Sequence, residues 1–415
     1  MMNTFSTIFI GFLAVTLLAQ LWLARRQIRH VLGHRDSVPD TFRDKITQSA
    51  HEKAADYTVT KNRFSMVGEG YSAIILLAWT LAGGLQLLDD SWSQVGLAPV
   101  WHGTLVLLSL FIIGGLLELP FSIYGTFRIE ERYGFNKSTP RLFAIDLFKN
   151  TVLMVLIGGP LLLAVLWLMN SMGELWWLYV WLLWSGFSLV ALWAYPAFIA
   201  PLFNKFKPLE EGAVRDRVQS LLERTGFKSK GIYVMDGSKR SAHGNAYFTG
   251  FGRNKRIVFF DTLLNSLNEA EVEAVLAHEL GHFKLRHITK RIVMMFSLSL
   301  LGLALLGWLI KQDWFYAGLG ITTPSIHTAL ALFMLVMPVF TFFLGPLMAW
   351  GSRKHEFEAD AFACQQANAS DLINALVKMY EENAKTLTPD PLHSVFYDSH
   401  PPAPVRISHL KELKT

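Results

Sequence analysis

Long apolar segments alternate with polar segments along the chain. A helix that crosses a bilayer needs about 20 mostly apolar residues, because the hydrocarbon core is about 30 Å thick. Trp and Tyr stand near several ends of the apolar segments, as they do at membrane–water interfaces. The pattern predicts seven transmembrane helices, at residues 4–24, 70–88, 101–122, 147–169, 175–199, 292–311 and 325–350.

Residues 201–291 form the longest polar interruption and predict a small domain of helices and strands. Apolar residues recur with helical spacing at 210–225 and predict an amphipathic helix. Asn268 and Glu271 have the spacing of a capping box and predict the start of a second helix. Short β-forming runs predict three strands, the last two joined by a hairpin turn: 232–235, 245–251, the turn at 252–255, and 256–261.

The same pattern divides the chain into four regions. Membrane helices one to five with their loops occupy 1–200, the polar domain 201–291, membrane helices six and seven 292–350, and a polar tail 351–415. Apolar residues make up 52% of the chain and charged residues 17%, whereas a soluble domain carries about 25% charged residues. Cys364 is the single cysteine, which excludes an intrachain disulfide and a metal site of several thiolates.

Lys and Arg are distributed unevenly among the loops. The loops after predicted helices one, three and five are rich in them, whereas residues 89–100 and 170–174 contain none. Because cytoplasmic loops carry the excess of basic residues, the N-terminus is predicted outside, with the polar domain and the C-terminus in the cytosol. This topology accounts for the basic loops, so no nucleic-acid partner is inferred.

The second predicted helix of the polar domain carries His278-Glu279-Leu280-Gly281-His282. Two histidines at i and i+4 lie on one helix face, so both imidazoles can reach one metal ion. Glu279 between them lies within reach of the open position of that ion, where a carboxylate acts as general base. The motif therefore predicts a metalloprotease site with His278 and His282 as ligands and Glu279 as the catalytic base.

A catalytic zinc ion needs a third protein ligand. The segment Ser352-Arg353-Lys354-His355-Glu356-Phe357-Glu358-Ala359-Asp360 follows the last predicted span. Glu356 and Asp360 are at i and i+4 on a predicted helix, so one carboxylate can bind the metal while the other holds a ligand imidazole. From the residues alone, Glu356 and His355 are both candidates for the third ligand. Asp360 is expected to orient His278 or His282.

The H-E-x-x-H helix before one span and the S-R-x-x-E-x-E-A-D segment after the next resemble the type I CAAX prenyl protease family. The resemblance extends over essentially the whole chain and includes the seven spans. It is carried further by residues 54–64, 133–146 and 241–264, and by His400-Pro401-Pro402 with Arg406.

This resemblance implies a mainly α fold: a seven-transmembrane-helix bundle that encloses a chamber, with a small α+β zincin-like metalloprotease domain on the cytosolic side. It implies that Glu356 is the third ligand of one Zn²⁺ per chain. The implied activity is that of a zinc-dependent endopeptidase, and members of the family remove C-terminal residues of prenylated proteins. The expected partners are the lipid bilayer and a peptide or protein substrate, with or without lipid.

The resemblance also implies roles for three residues outside the metal ligands. Asn245 is expected on an edge strand that an extended peptide joins, although the residue by itself favours a turn. His400 and Arg406 are expected to contact the substrate near the scissile bond and to stabilise the developing oxyanion. Read without the family, His400-Pro401-Pro402 fits an ordinary turn.

Three other functions compete with this one. A heat-shock-type quality-control protease also uses H-E-x-x-H but has fewer spans. A scaffold with structural zinc needs a closed site with four protein ligands, and a transporter leaves the His-Glu motif without a role.

The short loops and the lack of a retention tail indicate a bacterial inner membrane. The oligomeric state has no signature in the sequence.

Overall fold

A computed structural model of the chain describes residues 3–249 and 256–413, which are mainly helical. Asn3 caps the first helix in a capping box with Ser6. Pro99 and Pro140 each open a helix, where the missing N–H leaves no hydrogen bond unmade. The helices of the first half are α1 Thr4–Gly33, α2 Gln48–Trp79, α3 Gly84–Ser93, α4 Pro99–Tyr124, α5 Pro140–Leu153, α6 Gly159–Ser171, α7 Trp176–Ala194 and α8 Ala200–Phe203.

Within the described residues, six helices are long and apolar enough to cross a membrane once short π-helical and 3₁₀ turns are counted with their neighbours. They are Thr4–Gly33, Pro99–Glu130, Pro140–Ser171, Gly173–Phe203, His287–Leu309 and Ile326–Gln366. The helices α2 and α3 together form one further candidate, bent by 47°. Such a pair counts as a seventh span if both helices cross together.

The predicted span at 70–88 lies across that bend. The helix α2 ends at Trp79, and Gly83 adopts a φ of +80° immediately before α3. Glycine takes this left-handed conformation without the steric cost that other residues meet. The remainder of α2, from Gln48, is a polar extension that the apolar pattern did not predict as part of the span.

The polar domain contains a four-stranded sheet in the order β1-β2-β4-β3. Its strands are β1 Phe206–Pro208, β2 Ile232–Met235, β3 Ala246–Thr249 and β4 Arg256–Phe260. The strands β2 and β4 are parallel, whereas β1 and β3 pair antiparallel with them at the two edges. The predicted strand at 232–235 is confirmed, and β1 was not predicted because it is only three residues long. The predicted turn at 252–255 lies outside the described residues.

The other helices complete the polar domain, the last two spans and the tail. They are α9 Ala213–Arg224, α10 Asp261–Ser266, α11 Glu269–Lys284, α12 His287–Leu309, α13 Asp313–Gly318, α14 Ile326–Thr341, α15 Gly345–Gln366, α16 Ala369–Glu382, α17 Pro391–Tyr397 and α18 Ala403–Glu412. The predicted region boundaries after residues 200, 291 and 350 fall inside α8, α12 and α15, respectively. The helix α15 continues the last candidate span into the polar region.

Two large hydrophobic cores and two smaller clusters lie among the described residues. One large core joins α9, α11, α16 and α18 to the sheet and to residues 38–46, so that the polar domain and the tail share a single core. The other large core joins α1, α4, α6 and α14 to α13 and lies in the membrane bundle. The tail is therefore part of the polar domain in space, although two candidate spans separate them along the chain.

Candidate metal centre

The helix α11 begins at the predicted capping box. The Asn268 side chain accepts a hydrogen bond from the backbone N–H of Glu271 at 2.9 Å, and the Glu271 carboxylate accepts one from the N–H of Asn268 at 2.9 Å. His278 and His282 follow on one face of this helix, which packs on α15. Gly281 makes that packing close, because a Cβ there would lie 2.9 Å from the Cα of Ala359.

Three side chains of these two helices converge on one point. The Nε2 atoms of His278 and His282 are 3.2 Å apart. Glu356 on α15 places one carboxylate oxygen 3.4 Å from the Nε2 of His278 and the other 3.3 Å from that of His282. A tetrahedral zinc ion with bonds of about 2.0–2.1 Å holds its ligand atoms about 3.3 Å apart. The spacing of these three residues therefore matches a metal centre.

The chemistry of the three residues also fits a metal ion. His278 and Glu356 are buried, and the Oε2 atom of Glu356 has no hydrogen-bond partner. A buried carboxylate oxygen without a partner is costly unless a ligand satisfies it. With three protein ligands, a tetrahedral ion keeps one position open, as in catalytic sites.

Asp360 and Arg406 support His278 from behind. The Nδ1 atom of His278 lies 2.9 Å from a carboxylate oxygen of Asp360, which is fully buried. Arg406 on α18 donates to both oxygens of Asp360, at 2.7 and 2.6 Å. Burial and the nearby Arg406 lower the pKa of His278, but its contacts with Asp360 and Glu356 outweigh them and raise it. Of the two histidines that Asp360 was expected to orient, the structure brings it to His278.

Arg406 was expected to contact the substrate. Its guanidinium is buried, donates to Asp360 and lies 3.6 Å from the Glu356 carboxylate. Its described hydrogen-bond contacts are therefore with Asp360 and with the ring of His278.

Glu279 lies on α11 between the two histidines and is half-buried. Burial raises the pKa of its carboxyl above the ordinary value, although the positive charge of His278 and His282 acts in the opposite direction. A raised pKa is typical of a carboxylate that accepts and returns a proton near neutral pH. The role of Glu279 as the catalytic base stays a prediction of the motif.

His400 and Asn245 lie at the rim of the centre and on the sheet, respectively. The Nε2 atom of His400 is 3.5 Å from a Glu356 oxygen, and 60% of its side chain is exposed. Asn245 is exposed and directly precedes the edge strand β3, where its side chain accepts from the N–H of Ala246. The structure brings His400 to the metal ligands, whereas the described contacts of Asn245 are with its own strand and with β4.

His355, the rival third ligand, lies elsewhere. Its ring stacks on that of His287, with the centroids 4.1 Å apart and the planes 12° from parallel. His287 and Glu358 were not singled out in the sequence, yet His287 contacts His282 and Glu358 together. The sequence feature that could have indicated the contact between His287 and His282 is their separation by five residues.

A different His–Asp cluster lies at the other end of the membrane bundle. The Nε2 atoms of His102 and His327 are 2.6 and 2.7 Å from the same oxygen of Asp89. These are hydrogen-bond distances, shorter than the roughly 3.3 Å between ligand atoms around a tetrahedral ion. The cluster ties α3, α4 and α14 together through hydrogen bonds, and its three side chains also form a group that could hold a metal ion.

Two protein-family models match the chain, and the two matches meet near the start of the polar domain. Residues 27–205 match the family described as CAAX prenyl protease N-terminal, five membrane helices. Residues 208–414 match peptidase family M48. The two matches together cover nearly the whole chain.

Individual proteins are similar over the same length. The CAAX prenyl protease 1 homolog of Arabidopsis thaliana is 36% identical, across 96% of this chain and 95% of that protein. The human CAAX prenyl protease 1 homolog is 33% identical, across 95% and 93%. The crystal structure of S. mikatae Ste24p superposes with a TM-score of 0.92 at 31% identity and covers 98% of this chain and 99% of that one.

Proposed function

The chain belongs to peptidase family M48, within the membrane-embedded CAAX prenyl protease group, and on that basis we propose that His278, His282 and Glu356 bind its catalytic metal. The protein is a multi-pass membrane metalloprotease. The observation that carries the ligand set is the convergence of the two Nε2 atoms and the Glu356 oxygens at 3.2–3.4 Å. We propose that the metal is one Zn²⁺ per chain, because zinc accepts two imidazoles and a carboxylate in catalytic sites.

Zinc bound by His278, His282 and Glu356 would lower the pKa of a water molecule and polarise a carbonyl group. The role proposed for Glu279 is to accept a proton from the attacking water and to pass it to the leaving amine. Asp360 holds the ring of His278 so that its Nε2 atom faces the metal. Arg406 balances the charge of Asp360 and keeps that carboxylate in place, which is a positioning role.

Two further residues are proposed to contact the substrate. His400 lies at the exposed edge of the centre, 3.5 Å from Glu356, where its ring can donate to an oxyanion that forms beside the metal. Asn245 directly precedes the edge strand β3, whose outer side can pair with an extended peptide. In the proposed arrangement the peptide lies along β3 and its scissile bond reaches Glu279.

The proposed substrate is a protein with a prenylated C-terminal C-a-a-X sequence, because the curated relatives are named for that substrate. We further propose seven spans around a chamber, with the N-terminus outside and the metal centre and C-terminus in the cytosol. The distribution of Lys and Arg supports this orientation. The short loops are the basis for proposing a bacterial inner membrane.

The experiment that tests the function is cleavage of a quenched fluorescent peptide that ends in a farnesylated C-a-a-X sequence, with the unprenylated peptide alongside. We expect cleavage by the wild-type protein and a loss of about 10²–10⁴-fold in kcat for Glu279→Gln. The variant should retain one zinc per chain. Glu269→Gln, on an exposed position of the same helix, is the matched control and should keep full activity.

The outcomes separate the chemistry from the substrate. Equal cleavage of both peptides would favour general proteolysis of membrane proteins over a prenylated substrate. Zinc bound at one per chain with no difference between Glu279→Gln and wild type would contradict the proposed base. A zinc chelator is expected to abolish cleavage of either peptide by the wild-type protein, and added Zn²⁺ is expected to restore it.

A further inference from the structure

The side of His282 that faces away from the metal centre is occupied by another histidine. The Nδ1 atom of His282 lies 3.0 Å from the Nδ1 atom of His287. The Nε2 atom of His287 lies 2.9 Å from a carboxylate oxygen of Glu358. The three side chains thus form a line that starts at the Nε2 atom of His282, which faces Glu356, and ends at Glu358.

The chemistry of the three groups determines where each proton lies in this line. Once the Nε2 atom of His282 binds a metal, the Nδ1 atom of the neutral ring carries the proton and donates. The Nδ1 atom of His287 must then accept, so its own proton is on Nε2 and is donated to Glu358. An ionised carboxylate only accepts hydrogen bonds, so Glu358 sets the tautomer of His287, and His287 sets the tautomer of His282.

The backbone places His287 in this position by an unusual route. The helix α11 ends at Lys284 and α12 begins at His287, with Arg286 between them at a φ of 57°. The left-handed region is sterically unfavourable for a non-glycine residue. This turn returns the chain so that His287, only 2% exposed, packs against a residue of the preceding helix. Its ring is also held by stacking on His355.

We propose that His287 and Glu358 are positioning residues that hold the metal ligand His282 in the Nε2-binding tautomer and orientation. The inference rests on the proposed metal site. It gives His282 a support of its own, since Asp360 and Arg406 contact His278. Outer partners of this kind change metal affinity by about 10–100-fold when they are removed.

Two substitutions at position 287 distinguish hydrogen bonding from packing. In His287→Asn the amide oxygen stands close to the place of Nδ1 and can still accept from His282, but the stacked ring is lost. In His287→Phe the ring is kept and the acceptor is lost. A positioning role predicts that His287→Asn binds zinc more tightly than His287→Phe, whereas a packing role predicts the opposite order.

The measurement is the zinc affinity of the purified full-length protein, by competition with a chromophoric chelator. We expect His287→Phe to bind zinc about 10–100-fold more weakly than wild type. His287→Asn should lose less than His287→Phe. Glu358→Leu should behave like His287→Phe, because the tautomer of His287 is then no longer fixed.

Lys354→Gln is the matched control, since Lys354 lies on an exposed position of α15, the helix that carries Glu358. It should leave the zinc affinity unchanged. A tighter zinc complex in His287→Phe than in His287→Asn, or unchanged affinity in both, would overturn the positioning role. Failure of the wild-type protein to bind zinc would instead contradict the proposed metal site itself, so the two failures are distinguishable.

Discussion

Buried charges are balanced residue by residue at the metal centre. Glu356 and Asp360 are both buried carboxylates, and Arg406 is the buried guanidinium that contacts them. Burying a carboxylate is costly unless a cation or hydrogen-bond donors satisfy it. Arg406 donates two hydrogen bonds to Asp360. It lies 3.6 Å from Glu356, whose Oε2 atom has no hydrogen-bond partner and is proposed to bind the metal. The two carboxylates therefore differ in whether the arginine satisfies them with hydrogen bonds.

Asp360→Asn tests that division at the scale of one residue. The amide keeps the shape of the side chain but removes the charge that holds Arg406 and the Nδ1 atom of His278. We expect zinc affinity to fall by about 10–100-fold, measured by chelator competition, with the helical circular-dichroism signal unchanged. Asp216→Asn, an exposed aspartate on α9, should leave the affinity as in wild type. Unaltered affinity in Asp360→Asn would count against its role in orienting His278.

At the scale of elements, the metal centre is a contact between two helices. His278 and His282 lie on α11, and Glu356 lies on α15, which continues the last candidate span. The distance between the helices therefore sets the distance between the ligands. Gly281 permits the close approach, since it stands one residue before His282 at the point where α11 meets Ala359.

Gly281→Ala tests this contact. The new Cβ would lie 2.9 Å from the Cα and 3.0 Å from the carbonyl oxygen of Ala359, and backbone atoms cannot move aside as a flexible side chain can. We expect α11 and α15 to separate, with lower zinc occupancy by elemental analysis and a lower Tm. Gly351→Ala lies on α15 itself with no atom within 4 Å of the new Cβ, so it should retain wild-type zinc content. If both variants bind zinc equally well, the close packing at Gly281 is not needed for the site.

At the scale of the whole molecule, the two large hydrophobic cores are joined by long helices. The core of the polar domain draws its residues from three distant parts of the chain, and the bundle core lies in the membrane region. The exposed surface of the candidate spans is largely apolar: among its large hydrophobic residues are Leu18, Ile74, Leu182, Leu301 and Leu347. Lipid is the environment in which such surfaces are stable, and this agrees with a multi-pass membrane protein.

The proposed orientation is a prediction at this scale. In a Cys364→Ser background, Ser171→Cys lies on the exposed last residue of α6, and Lys228→Cys lies on the surface of the polar domain. A membrane-impermeant maleimide applied to intact cells should label Ser171→Cys and leave Lys228→Cys unlabelled. Permeabilised cells should show labelling of both, which controls for reactivity. The reverse pattern in intact cells would place the metal centre outside.

The sequence by itself determined the features that depend on neighbours along the chain. Helical periodicity puts residues at i and i+4 on one face, so His278 and His282 were predictable as a pair, as was the capping box at Asn268. The length of an apolar helix is set by the thickness of the bilayer, so most candidate spans were predictable too. The bend between α2 and α3 was not, because it depends on one glycine turn at Gly83 within an apolar run.

Tertiary structure alone decided which distant residues meet. The choice between Glu356 and His355, the pairing of Asp360 with His278, and the contacts of Arg406 with both all depend on how α15 and α18 pack on α11. These helices are separated from α11 along the chain, and no local spacing rule connects them. Side chains that lie side by side in sequence, such as His355 and Glu356, point about 100° apart on a helix. Only the packing of that helix brings Glu356, and not His355, beside His278 and His282.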